Sequence, residues 1–235
     1  ITPADLGKKL DEVFGTLPAK ASAPALETPV TLHGAGEIYV YEKDIPQSVV
    51  EMIAPGIAHT DPAWHHAEIL NFVLGGSGFG SHLMEEIREK RGLTYGIYSG
   101  LSSMDHGATL TIGTSTKNES TAEMLSLIGA EVEKLKTNGL TAQELKDAQS
   151  YLIGSVPLSL TSTDRISGFL LSAQARGYGT DYLEKRESII QSATLADVKA
   201  VGDRLLNPKA FTTIIVGSPQ NLETVKTLTT IPNAE

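Results

Sequence analysis

The chain has 235 residues, 40% of them apolar, enough to bury a core in one large domain or two small ones. Its 19 Lys and Arg against 28 Asp and Glu leave a formal charge of -9, which argues against a nucleic-acid footprint or a patch for anionic membranes. The absence of cysteine excludes disulfide frameworks, thiolate nucleophiles and Cys-ligated zinc.

The longest apolar runs are too short for a membrane span, and no basic-then-apolar leader opens the sequence. The chain starts on Ile1-Thr2-Pro3, which reads as a helix start with Thr2 as N-cap and Pro3 in the first turn, and so as a fragment of something longer. Leu6, Leu10, Val13 and Phe14 share one face of a helix expected over Pro3 to Phe14. Pro18 to Pro29, rich in Ala, Pro and Ser, reads as an extended linker. We therefore expect residues 1–30 to be a helix and linker from a preceding unit and 31–235 to be one domain.

From Gly36 the pattern becomes strand-like, with Glu37 to Tyr41 and Ser48 to Ala54 expected to pair across Pro46. Asp61-Pro62 should cap a helix running to about Leu74, followed by Gly75-Gly76-Ser77-Gly78-Phe79-Gly80. Ser81 restarts a charged helix that ends near Arg91-Gly92, with Glu85–Arg88 and Glu86–Lys90 ion pairs expected along it. Tyr95 to Ser103 and Ala108 to Ser115 form the strongest strand pair, joined by Met104-Asp105-His106-Gly107. Helical patterns follow at 120–136, 141–159, 164–176, 181–191 and 195–205, with caps expected at Thr141, Asp164 and Thr194. A strand from Phe211 to Val216 and a terminal helix near Pro219–Leu228 complete the reading. Strands, then helices, then a closing strand indicate an α+β fold: an antiparallel sheet covered on one face by helices.

Several motifs fail on inspection. The glycine run follows a helix instead of a strand, lacks the Lys-Ser/Thr of a P-loop, and has Ser81 where G-x-G-x-x-G needs its third glycine; it reads as a helix-to-helix turn. A zinc helix needs two histidines on one face with a general-base Glu. His65-His66-Ala67-Glu68-Ile69 supplies H-x-x-E and then Ile69, which cannot ligate, so the histidines read as exposed residues at a helix start. No G-x-S-x-G elbow raises a serine nucleophile, and the carboxylates offer no separable acid/base pair. By local physics, Leu83 to Ser99 is a charged helix stopped by Gly92, then a strand with packed aromatics.

That segment, G-G-S-G-F-G-S-H-L-M-E-E-I-R-E-K-R-G-L-T-Y-G-I-Y-S, also closely resembles the signature of the second homologous half of M16 metallopeptidases. This is the family of pitrilysin, insulin-degrading enzyme and mitochondrial processing peptidase. The resemblance extends over nearly all of the chain, and its first helix looks like the tail of the family's preceding half. It implies an M16 half-domain, one of two that enclose a chamber for unfolded peptides, with zinc on H-x-x-E-H in the other half or in a partner subunit. It further implies that Arg88 and Tyr95, seven positions apart, contact the substrate carbonyl and the oxyanion. A guanidinium and a phenol suit those roles as hydrogen-bond donors. With its own motif broken at Ile69, the chain alone is expected to hold no metal or cofactor and not to hydrolyse peptides. A periplasmic setting (or else a cytoplasmic one) and a dimer are also expected from the resemblance. Two alternatives stand beside this: a non-catalytic structural or assembly subunit, as the family supplies to respiratory complexes, and a stand-alone peptide-binding module.

Overall fold

Local signals set the helices. In the computed structural model, which describes residues 1–20 and 29–230, Thr2 caps α1 (Pro3–Phe14) by accepting the Asp5 N–H at 3.2 Å. None of α1 is buried, and its apolar stripe of Leu6, Leu10, Val13 and Phe14 lies exposed. Residues 21–28 of the expected linker lie outside the described residues. Thr141 and Thr194 form reciprocal capping boxes with Glu144 and Asp197, which start α4 (Ala142–Ser159) and α7 (Leu195–Leu205). The cap of α5 (Thr163–Ala175) is Ser162, which accepts the Arg165 N–H; Asp164, expected there, sits inside the first turn. The remaining helices are α2 (Trp64–Asn71), α3 (Thr121–Asn138) and α6 (Tyr182–Ser192).

Six strands form one sheet: β1 (Ile38–Glu42), β2 (Gln47–Pro55), β3 (Ile97–Met104), β4 (Gly107–Lys117), β5 (Thr212–Gly217) and β6 (Lys226–Leu228), in the order β3-β4-β2-β5-β1-β6. The α+β reading holds, with pairing antiparallel from β3 through β5 and parallel at β1 and β6. The β3–β4 hairpin turns on Asp105-His106, since Met104 and Gly107 are still register partners. Two expectations fail. β1 and β2 do not pair, because β5 lies between them and pairs with both. The terminal helix is absent: Lys226–Leu228 instead adds to the outer edge of β1, where backbone groups would otherwise lack partners, and Lys226 pairs with Glu37.

Alternation along the strands separates two faces. Ser48, Val50, Met52 and Ala54 of β2 are buried, as are Leu110, Ile112 and Thr116 of β4 and Ile215 of β5. Over them pack Ile69 and Leu70 of α2, Met124, Ile128 and Val132 of α3, and Val198 and Val201 of α7. Each such side chain contributes about 1.5–3 kcal/mol by leaving water. The other face, with Val49 and Ile214 exposed, carries no helix among the described residues.

Asp61 ties the entry of α2 to the end of α7. Its carboxylate accepts from Arg204 Nη2 at 2.7 Å and from the Ala63 N–H at 2.8 Å, and these two contacts, the guanidinium first, hold it below the ordinary carboxylate range. A carboxyl lowered in the folded state adds stability above its unfolded pKa, and that stability is lost as pH falls through the folded value. Asp61→Asn is therefore expected to cost about 1 kcal/mol near neutrality, kept small by partial exposure of the pair. Urea unfolding should show the gap between wild type and variant closing as pH drops below the ordinary value of 3.8. A gap that persists at low pH would remove the ionic explanation.

Candidate functional site

Between α2 and β3 the chain makes two π-helical turns, Phe72–Gly76 and Met84–Glu89, with the glycine run beginning inside the first and ending before the second. Gly75 is required by packing, since a Cβ there would stand 2.5 Å from the Ser99 backbone nitrogen in β3. Gly78 takes a left-handed φ of 69°, as the sharp reversal demands. The run thus serves as the helix-to-helix turn expected of it.

The second π turn rearranges the charges. With the backbone bonded from residue i to i+5, as in Lys90 N–H to Glu85 C=O at 3.0 Å, side chains five apart come to share a face. Lys90 accordingly meets Glu85 at 3.0 Å as well as Glu86 at 3.2 Å, and Arg91 pairs with Glu86. The expected Glu85–Arg88 pair does not form. Arg88 instead pairs with its neighbour Glu89, lies over the Phe79 ring with its guanidinium carbon 4.6 Å from the centroid, and donates from Nε to the Tyr95 carbonyl at 3.0 Å.

Tyr95 stands just ahead of β3 instead of starting it, and its side chain does not pack: the residue is 88% exposed. Its backbone is nevertheless fixed. The Thr116 hydroxyl donates to the Leu93 carbonyl at 2.6 Å, and Thr114 and Thr94 both reach the Gly96 carbonyl at 2.9 Å. Gly92, at φ 63°, turns the chain into this segment. The structure therefore brings Arg88 and Tyr95 together through a backbone bond, leaving a free phenol on an anchored main chain and unused N–H groups on the guanidinium fork. Sequence reading missed Phe79, Thr114 and Thr116 as the parts that position the pair. The Thr-x-Thr alternation in β4 was visible, but nothing local says what a strand hydroxyl will hold.

The helix expected to be the counterpart of a zinc helix does not suit a metal. His65 is buried, not exposed as expected, because α6 packs across the start of α2 and sets the Tyr182 ring 6.0 Å from the imidazole. His65 Nδ1 lies 2.6 Å from Glu68 Oε2, and Arg186 lies 3.6 Å from the other Glu68 oxygen. Tyr178 stacks on Tyr182 at 4.0 Å, and burial, with the Glu68 charge second, pushes the Tyr182 phenol up to about 12. Ile69 faces the core. A guanidinium and an imidazole already share the carboxylate that a cation would need, and no group of three or more metal-binding side chains converges among the described residues.

The fold is thus a sheet with helices on one face, carrying an anchored Arg–Tyr pair at one end of β3 and an α2 whose His65 and Glu68 are bonded to each other. Residues 1–152 match the model of the peptidase M16 inactive domain, and the chain belongs to that family. Over 157 residues, it is 32% identical to an uncharacterized zinc protease of Bacillus subtilis (strain 168), YmxG, a match that covers 67% of this chain and 37% of that protein. It is 37% identical over 158 residues to the non-peptidase homolog YmxG of Helicobacter pylori, covering 64% of this chain and 34% of that protein. The crystal structure of a peptidase M16 inactive domain from Pseudomonas fluorescens superposes with a TM-score of 0.81 at 30% identity, over 97% of this chain and 53% of that one. The chain thus spans well under half the length of these curated relatives.

Proposed function

We propose that this chain is the substrate-handling, zinc-free part of an M16 zinc peptidase. It would be completed by an H-x-x-E-H-bearing half or subunit, with residues 1–30 as the tail of the preceding half. The observation that carries the reading is the Tyr95 phenol, exposed and without a partner among the described residues, on a backbone that Arg88 and Thr116 hold in place. In this reading, an unfolded peptide crosses the helix-free face of the sheet. Arg88 donates to a peptide carbonyl with its unused N–H groups, and Tyr95 donates to the oxyanion as the tetrahedral intermediate forms.

A second reading is favoured by the Helicobacter pylori relative, a non-peptidase homolog: a subunit of the same architecture that assembles without catalysing. One experiment separates the two. The chain serves as bait in its native extract, and chelator-sensitive cleavage of an unstructured fluorogenic peptide by the captured complex is compared among wild type, Arg88→Ala and Tyr95→Phe. A fall of roughly tenfold or more in both variants, at equal capture, supports substrate handling. Equal activity with all three baits leaves the non-catalytic reading standing.

A further inference from the structure

Tyr95 forms one wall of a cleft of about 420 Å³ that also takes in Gln47, Arg91, Thr94 and Lys117. Gln47 and Lys117 are register partners at the first residue of β2 and the last of β4, in phase with Val49 and Glu51, so they project to the helix-free side of the sheet. Two of the lining side chains are cationic and none is a carboxylate, on a chain whose formal charge is -9. Arg91 spends one guanidinium nitrogen, Nη1, on Glu86, and Lys117 has no carboxylate within ion-pair distance among the described residues. The neighbouring cleft, between α3, α4 and the second π turn, is of mixed charge: Glu85, Glu86, Glu131 and Glu144 line it together with Lys90, Lys134 and His82. Of the two, the cleft beside Tyr95 is the one whose lining has cations and no carboxylate.

We infer that this cleft is a subsite for a carboxylate on the bound peptide, held by Lys117 with Arg91 beside it. This rests on the reading that peptide passes Tyr95, and it narrows the substrate class to peptides with an acidic side chain or a free C-terminus within reach of that point. A concave, partly shielded wall makes the attraction stronger than between fully exposed ions, and the amide of Gln47 adds a neutral donor.

The test is calorimetric titration of the 235-residue chain with three N-acetylated, unstructured Gly/Ser/Leu peptides. One ends in a free carboxylate, one ends in an amide and carries a single internal Glu, and one ends in an amide with Gln in place of that Glu. The carboxylate peptides are expected to bind roughly fivefold or more tightly than the neutral one, with the advantage shrinking as salt rises. If only one of them gains, the subsite is supported and its source, terminus or side chain, is assigned. Lys117→Gln should bring the affinity ratio close to one, Gln47→Glu should invert it, and Lys209→Gln, the same charge loss far from the cleft, should preserve it. If the neutral peptide binds as tightly as the others, the subsite is overturned while substrate handling at Arg88 and Tyr95 stands. If none of the three binds, the subsite is overturned, and substrate handling at Arg88 and Tyr95 is decided by the captured-complex assay.

Discussion

Ile69→His, which writes H-x-x-E-H into the sequence, is expected to yield neither a zinc site nor a peptidase, but a protein destabilised by about 3–5 kcal/mol. Ile69 is fully buried against the sheet, so the substitution deletes core contacts and strands a polar ring. Truncating a buried Ile costs about 2–5 kcal/mol, and an unpaired buried polar group about 1–3 more, offset in part by the volume the ring refills. The rest of the would-be metal set is already committed: His65 to Glu68, Glu68 to Arg186, with Tyr178 and Tyr182 stacked alongside. Urea unfolding and metal analysis after dialysis against zinc check this directly. A variant that binds one equivalent of zinc and gains stability from it would show the α2 site to be closer to functional than its hydrogen bonds indicate.

If the proposed function holds, Tyr95→Phe in the completed complex is expected to cost about 10²–10³ in kcat, the usual loss for one oxyanion donor, and Arg88→Ala a comparable amount through the phenol it no longer positions. The double variant Arg88→Ala/Tyr95→Phe should lose little more than the worse of the two single variants. This non-additivity follows from the Nε bond to the Tyr95 carbonyl: without the guanidinium, the segment carrying the phenol loses the one bond made to Tyr95 itself and keeps those at Leu93 and Gly96 on either side, and a misplaced phenol donates poorly. Steady-state kinetics on a complex reconstituted with each bait gives the coupling. Strict additivity would mean that the two side chains act independently and that the backbone bond positions nothing.

What was legible in the sequence was what short-range chemistry decides. The capping boxes at Thr141 and Thr194 mark helix starts by hydrogen bonds within one turn, and the β3–β4 hairpin is closed by its own turn. The candidate pair was reachable through the resemblance around Arg88 and Tyr95, whereas local physics alone made one a helix charge and the other a packed strand residue. Strand order was not legible, because β5 must travel from the far end of the chain to enter between β1 and β2. The helical pattern at Pro219–Leu228 lost to an edge strand for the same reason: the backbone of β1 needed partners more than the segment needed its own hydrogen bonds. The π turn over Met84–Glu89 was equally hidden, and with it the switch of ion pairs to five-residue spacing that releases Arg88 toward Tyr95.

Because β5 separates β1 from β2, the sheet cannot close during synthesis until Gly217 has left the ribosome. A nascent chain that has reached residue 152, the end of the family match, would hold the β2–β4–β3 antiparallel block with the β2 edge still without its β5 partner, and β1 with nothing to pair to. Everything from α5 to α7 must then be translated while that edge waits, an interval in which chaperones and proteases compete for it. A stop codon anywhere before the end of β5 should therefore be about as damaging as one early in the chain.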